Sequence, residues 1–275
     1  MHSILVRKQQ LVAFMAVAIK GAVRDRVLGA MVVVGLILLL TTPVVALFSM
    51  RHVLALASSY SLSIISLMGL LLTLFIAMGL LARDLEQRQV YTICSLPISR
   101  ATYLLGKFLG FAIVIFLAVA ILGCFSAGAL FVLERIHPAE RAFAWGGFFI
   151  GLWFQYWVLL IVGAITILFS TVATSNFLPL ALSVGIYLGS YSSEAVHYFV
   201  RTAAGQKELG AAVRLFGNVV YWILPNFSAF DLKAQIIYGV ALNGRELLLT
   251  QLYAVGYLGV VLVLATLAFA RREFF

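Results

Sequence analysis

Apolar residues in this chain come in long blocks instead of alternating with polar ones. Val27 to Phe48 carries no charged side chain, and neither do Ser58–Leu81, Phe108–Val132, Trp145–Phe169 and Leu252–Ala270. A helix needs about 20 apolar residues to cross a hydrocarbon layer, and each of these blocks is close to or beyond that length. Phe177 to about Ser193 is a shorter block that takes the fifth place in chain order. The pattern predicts an all-α membrane protein: a six-span polytopic helical bundle, in a single transmembrane domain over residues 1–275. Pro43 is expected to kink the outer end of the first span, because proline removes a helix hydrogen bond.

Two segments outside the blocks have their own patterns. In residues 1–26, Gln9, Ala13, Ala16, Lys20 and Arg24 recur at helical spacing as a weakly polar stripe on an apolar segment. This predicts an N-terminal interfacial elbow helix. The Ala16-Val17-Ala18 triplet has the small residues of a signal-peptide cleavage site, but Lys20 and Arg24 follow at once and the first span comes directly after. Residues 193–251 form an extracytoplasmic segment. Asn218–Phe230 is apolar but too short to cross and is interrupted by Pro225, and Ile236–Leu242 is shorter still. Such pieces predict re-entrant helices before the last span, with irregular backbone covered by protein or lining a cavity. Read instead as a seventh span, the segment would put the C-terminus outside and break the charge pattern.

Charge sets the orientation. The 275 residues are 64% hydrophobic and 11% charged, with a mean hydropathy of +1.10. Soluble domains carry about 25% charged residues, so a soluble enzyme, a disordered chain and a nucleic-acid binder all fit poorly. The net charge of +9 does not point to nucleic acid, because the basic residues sit mostly at block ends. Arg7, Lys8, Lys20, Arg24 and Arg26 precede the first span, Arg83, Arg88, Arg100 and Lys107 lie between the second and third, and Arg271 and Arg272 end the chain. The opposite short loops hold only Arg51, Arg135 and Arg141. Both termini are therefore predicted cytoplasmic. No span contains Lys, Arg or Asp, and Glu194 stands at the end of the fifth, which argues against proton pumping, voltage sensing and ion-driven symport.

Chemical motifs are sparse. Cys94 and Cys124 give no metal spacing, and His2, His52, His137 and His197 lie in separate segments, so no metal site is predicted. No G-x-x-x-x-G-K-[ST] loop, Ser-His-Asp set or pair of intramembrane carboxylates occurs. Gly106/Gly110, Gly147/Gly151 and Gly185/Gly189 are Gly-x-x-x-Gly pairs, which serve either internal packing or a dimer seam. Trp145, Trp153, Trp157 and Tyr156 suit an aromatic belt, and Gln155 among them needs a hydrogen-bond partner. Pro225, Asn226 and Asp231, with Lys233, either shape an outer gate or satisfy the broken backbone.

The segment between the second and third spans is the most informative. Asp84 and Glu86 are two of only ten acidic residues in the chain. Asp84 and Arg88 can pair at i, i+4. Arg83 to Leu96 is helix-compatible, Pro97 ends that helix, Ser99 can cap the next one, and Lys107 is expected to reach the membrane interface. A push on a short helix clamped between two spans would reach both of them, which is what coupling to a soluble motor requires. A solvated connector is the other reading.

These residues resemble the corresponding region of ABC-2 type transporter permeases. Glu86 matches the acidic position after span two. Leu96-Pro97-Ile98-Ser99-Arg100 matches the Pro-x-Ser-Arg turn, and Leu105-Gly106-Lys107-Phe108 matches the opening of span three. Gln87-Arg88-Gln89 stands where the family often has glycine. The six-span layout, the interfacial first helix, the broken segment and the Ala270-Arg271-Arg272-Glu273-Phe274-Phe275 end are also similar to the family. The resemblance implies a permease subunit of an ATP-binding cassette exporter in a bacterial inner membrane, paired with a second permease copy or a homologous permease and contacting membrane lipid. It implies that Arg83, Asp84, Glu86, Arg88, Ser95, Leu96, Pro97, Ser99 and Arg100, within a coupling loop over residues 83–107, dock on a cytoplasmic ATPase. That partner would bind ATP and Mg, so this chain would need no cofactor and catalyse nothing itself. A non-transporting scaffold of a respiratory or biogenesis complex is the alternative reading.

Overall fold

With no water to bond inside an apolar layer, backbone amides and carbonyls pair within their own segment, and long charge-free runs become helices. The computed structural model of the chain describes residues 2–48, 53–86, 100–137, 143–173, 175, 177–202, 210–238, 240 and 243–271. Every element among them is helical: α1 His2–Arg24, α2 Arg26–Leu40, α3 Thr42–Leu47, α4 Val53–Glu86, α5 Arg100–Ile136, α6 Trp145–Val172, α7 Phe177–Arg201, α8 Ala211–Ile223, a 3-10 turn Ser228–Phe230, α9 Lys233–Tyr238 and α10 Gly244–Arg271. Residues 87–99, which hold Arg88, Ser95, Leu96, Pro97 and Ser99, lie outside the described residues.

Five stretches among the described residues are long and apolar enough to cross a membrane: Arg26–Leu47, Val53–Leu80, Arg100–Ile136, Trp145–Val172 and Gly244–Arg271. They match five of the six expected blocks. The other block is α7, a helix of 25 residues that does not reach the same apolarity. Its C-terminal half carries Ser190, Ser192, Ser193, Glu194, His197 and Arg201. Segment 211–238 is broken, as Pro225 implies. α8 has 13 residues and α9 has 6, and both are too short to span. Pro43 acts as expected, since α2 stops at Leu40 and α3 restarts at Thr42 with the proline in its first turn.

Burial places α6 at the centre. Of its most apolar window, 72% is buried, and of that of α4, 67%, against 22% for the windows of α2 and α10. From Val158 to Ile167 α6 is covered on every side, which is why that stretch is apolar all round. A side chain at Gly163 of α6 would run into the ring of Phe111 of α5. α2 and α10 lie at the edge. α10 touches the bundle along a narrow seam, Ala254, Leu258, Val261, Ala265 and Phe269, at steps of three and four.

α1 packs against α5 through Gly106 and Gly110. A Cβ at Gly106 would sit 3.1 Å from the Leu11 carbonyl oxygen, and one at Gly110 2.8 Å from that of Met15. Both positions advance by four residues, so the two helices run side by side in the same direction here. Of the stripe, Gln9, Ala13, Lys20 and Arg24 are exposed and Ala16 is half-buried, while Val12, Val17 and Val23 are exposed as well, so the exposed face of α1 is broader than the polar stripe. This Gly-x-x-x-Gly pair thus serves internal packing. Gly151 likewise meets Ile236 and Leu62, and Gly189 meets Leu224.

Gly110→Leu forces a side chain against the Met15 backbone and is expected to lower stability by about 1–3 kcal/mol. At Gly185, which is exposed, a Cβ meets no atom within 4 Å, and Gly185→Leu is expected to leave stability nearly unchanged. Thermal unfolding of the two variants in detergent compares them; equal shifts would contradict the close α1–α5 contact.

Candidate functional site

Four helices meet where α4 ends and α5 begins, the end of the bundle from which residues 87–99 depart. Arg83, Asp84 and Glu86 lie in the last turn of α4, so they continue the second span without a break; their side chains fall outside the described residues. Arg100 opens α5, directly after Ser99, the expected cap. Its guanidinium donates to the carbonyls of Phe269 at 3.3 Å and Ala270 at 2.9 Å. These carbonyls belong to the last turn of α10, where a helix leaves carbonyls without intrahelical partners and carries partial negative charge. The side chain expected to face an outside partner thus holds the last helix.

Lys107 differs from expectation. Its position predicts a head at the membrane interface, but it is only 6% exposed. Its ammonium donates to the Leu80 carbonyl of α4 at 2.7 Å and lies 5.1 Å from the centre of the Tyr103 ring. α5 sits so deep against α1 and α4 that the lysine stem is enclosed before its head clears the bundle. Tyr103, itself 3% exposed, stacks on Phe269 of α10 at 5.8 Å and meets Phe14 of α1 edge-on at 5.2 Å. Lys107 thus ties α5 to α4, Arg100 ties it to α10, and Tyr103 packs between α1 and α10. The two helices that bracket residues 87–99 therefore cannot move independently of each other or of α10.

A polar chain crosses the middle of the bundle. Gln155 of α6 donates to Ser66 of α4 at 3.1 Å, and Ser66 bonds the Tyr187 hydroxyl of α7 at 3.2 Å. The partner that Gln155 required is therefore internal, and the chain joins α7 to the two central helices. At the rim, Trp145 donates to Glu134 and Trp153 to Gln251 of α10.

The opposite end holds the predicted gate residues. Pro225 is buried just after α8. The Asn226 side chain accepts from the Ser228 amide at 3.1 Å, and Asp231 accepts from the Lys233 amide at 3.1 Å and pairs with the Lys233 ammonium at 3.8 Å. These short turns satisfy the broken backbone. Two tyrosines of α10 bond the same stretch of backbone. The Tyr253 hydroxyl accepts from the Asn226 amide at 3.0 Å, and the Tyr257 hydroxyl donates to the Ile223 carbonyl at 3.1 Å. Ser228 bonds the Tyr191 carbonyl of α7, and Phe227 packs between Tyr187 and Tyr191. Sequence reasoning missed both tyrosines, because nothing in a transmembrane block distinguishes a tyrosine that caps a distant break from one in a belt.

Tyr103→Ala removes a ring shared by three helices and is expected to cost about 3–5 kcal/mol. Tyr103→Phe keeps the ring and is expected to cost about 0.5–1.5 kcal/mol. The difference is read as thermal stability in detergent; similar losses for both would mean that the ring is not the support described.

A family model described as ABC-2 family transporter protein matches residues 11–274. No curated protein matches the chain. The match runs from α1 through α10 and includes both ends just described. The chain belongs to the ABC-2 family of transporter proteins and is a multi-pass membrane permease of the ABC transporter class.

Proposed function

We propose that this chain is the permease of an ATP-driven exporter, docked through residues 83–107 on a separate ATPase subunit that binds ATP and Mg. It works beside a second permease in a bacterial inner membrane. In this reading α7 is the fifth of six spans in chain order, despite its polar C-terminal half, because Ser66, itself bonded by Gln155, binds it to the bundle core. Six spans put both termini in the cytoplasm, with α1 as the interfacial elbow. Residues 223–238 then close the outer side as a re-entrant segment.

One observation supports the reading above the others. α10 is held at two levels: Arg100 bonds its last turn beside the docking segment, and Tyr253 and Tyr257, near its middle, bond the interrupted segment. Between these levels it rides on a narrow seam. A displacement of residues 83–107 by the ATPase would move α5, carry the end of α10, and reach the outer closure along the stretch of α10 between these bonds, about 18–26 Å at 1.5 Å per residue. Coupling needs an element that both sites can bias, and α10 meets that geometric requirement.

Glu86→Lys reverses charge on the docking segment and is expected to weaken ATPase association by about tenfold or more, with the permease still folded. Co-purification and coupled ATP hydrolysis in liposomes measure it. Unchanged association and hydrolysis would contradict the docking assignment, and a wild-type chain that never captures an ATPase would end the exporter reading. Arg100→Gln removes the tie to α10 and is expected to preserve ATPase association while lowering transport-coupled hydrolysis several-fold, the loss of a charge-assisted bond worth about 1.5–3 kcal/mol.

A further inference from the structure

Glu194, His197 and Arg201 succeed one another on α7 at steps of three and four, so they share one helix face. With Tyr191 of the same helix and Tyr221 of α8, they line an open cleft of about 530 Å³. Its charges are not neutralised from within. Among the described residues neither Glu194 nor Arg201 forms an ion pair, and seven residues put them about 10 Å apart along the axis. Glu194 has one long contact, from the Asn226 amide group at 3.5 Å. His197 lies flat on Tyr221, with ring centres 3.9 Å apart and planes within 8°. Its Nδ1 is shut off from solvent and has no hydrogen-bond partner.

The lining selects its ligand by charge. A carboxylate flanked by tyrosine rings suits an ammonium group. A guanidinium suits phosphate, which it binds through paired hydrogen bonds. A purely anionic ligand meets Glu194, and a purely cationic one meets Arg201; each leaves one charge opposed. No group of three or more His, Cys, Asp or Glu among the described residues can hold a metal ion. A molecule with both an ammonium and a phosphate satisfies both ends. Beside the cleft, Trp222 of α8 meets the Tyr221 ring and is exposed, an apolar surface where an acyl chain can lie.

We propose that the α7–α8 cleft binds the headgroup of a zwitterionic membrane phospholipid, with the ammonium at Glu194 between the tyrosine rings and the phosphate at Arg201. The site does not rest on the exporter reading and holds whether or not the chain engages an ATPase. The test uses the delipidated full-length chain in detergent, titrated with acyl-labelled phosphatidylethanolamine and, separately, phosphatidylglycerol. The expected result is at least about tenfold tighter binding of phosphatidylethanolamine, the effect of one unopposed charge. Glu194→Gln is expected to abolish that preference by admitting the anionic lipid. Arg201→Gln is expected to weaken both lipids, while Arg100→Gln, at the other end of the bundle, leaves binding unchanged. Both cleft residues are exposed, so neither variant removes core packing; thermal unfolding confirms that each is folded. Equal affinity for the two lipids, or a preference untouched by Glu194→Gln, would overturn the proposal. Competition by soluble phosphoethanolamine at concentrations matching the lipid would assign the cleft to a free zwitterion and overturn the lipid assignment.

Discussion

In apolar surroundings every backbone amide and carbonyl must find its partner inside the protein, and the rest of this structure depends on that requirement. It makes the long blocks helical, and it makes any interruption expensive. The break after α8 stands because Asn226, Asp231, Tyr253 and Tyr257 each supply a bond to backbone that a continuous helix would have satisfied itself. At the other end of the molecule Arg100 serves the last carbonyls of α10 in the same way. The start of α2 is handled by Asp25, whose side chain accepts from the Val27 amide. Many of the chain's few polar side chains are therefore found where helices stop.

The same bonds connect the two ends. Because the partners of free backbone groups come from other helices, satisfying a helix end also ties helices together. α10 is the clearest case. It has little burial of its own, yet it supplies two hydroxyls to the far-end break and takes two bonds from Arg100. A helix held at its last turn and near its middle, and loosely seated between them, can transmit movement without a large core rearrangement. In this chain, α10 links the segment proposed to meet the ATPase with the segment proposed to close the outer side. The central helix α6 is the most buried of the set and is joined to α7 through Gln155 and Ser66, and it is the frame against which such movement would occur.

Much of the architecture was legible in the amino-acid pattern. The block boundaries, the restart at Pro43 and the interruption at Pro225 all follow from local rules, since each depends on residues a few positions apart. The polar residues were harder to read. Lys107 looked like an interface anchor because it sits at the head of an apolar block, but its depth is set by how closely α1 and α4 approach α5, and that depends on Gly106 and Gly110 meeting the α1 backbone. Arg100 belonged to a recognisable turn, but its contact with Phe269 and Ala270 joins residues far apart in the chain and leaves no local trace. α7 was readable as a short block, and its serines and glutamate explain why it is less apolar than its neighbours.

By itself the sequence determined an all-helical membrane chain, the order and approximate limits of its apolar blocks, the place where the last part breaks, and the segment between α4 and α5 that carries the family's pattern. These are properties of composition and short-range spacing, which lipid and helix geometry constrain directly. Only the tertiary structure decided that Lys107 is enclosed, that Arg100 and two tyrosines hold α10 at its last turn and near its middle, that Gln155 is paired inside the bundle, and that Glu194, His197 and Arg201 share a cleft with Tyr221. Each of these needs side chains from distant blocks to meet. Hydrophobic patterning tells which residues leave water but not which of them become neighbours, because the driving force is nearly without direction. The directional bonds that select the neighbours form only once the helices have packed.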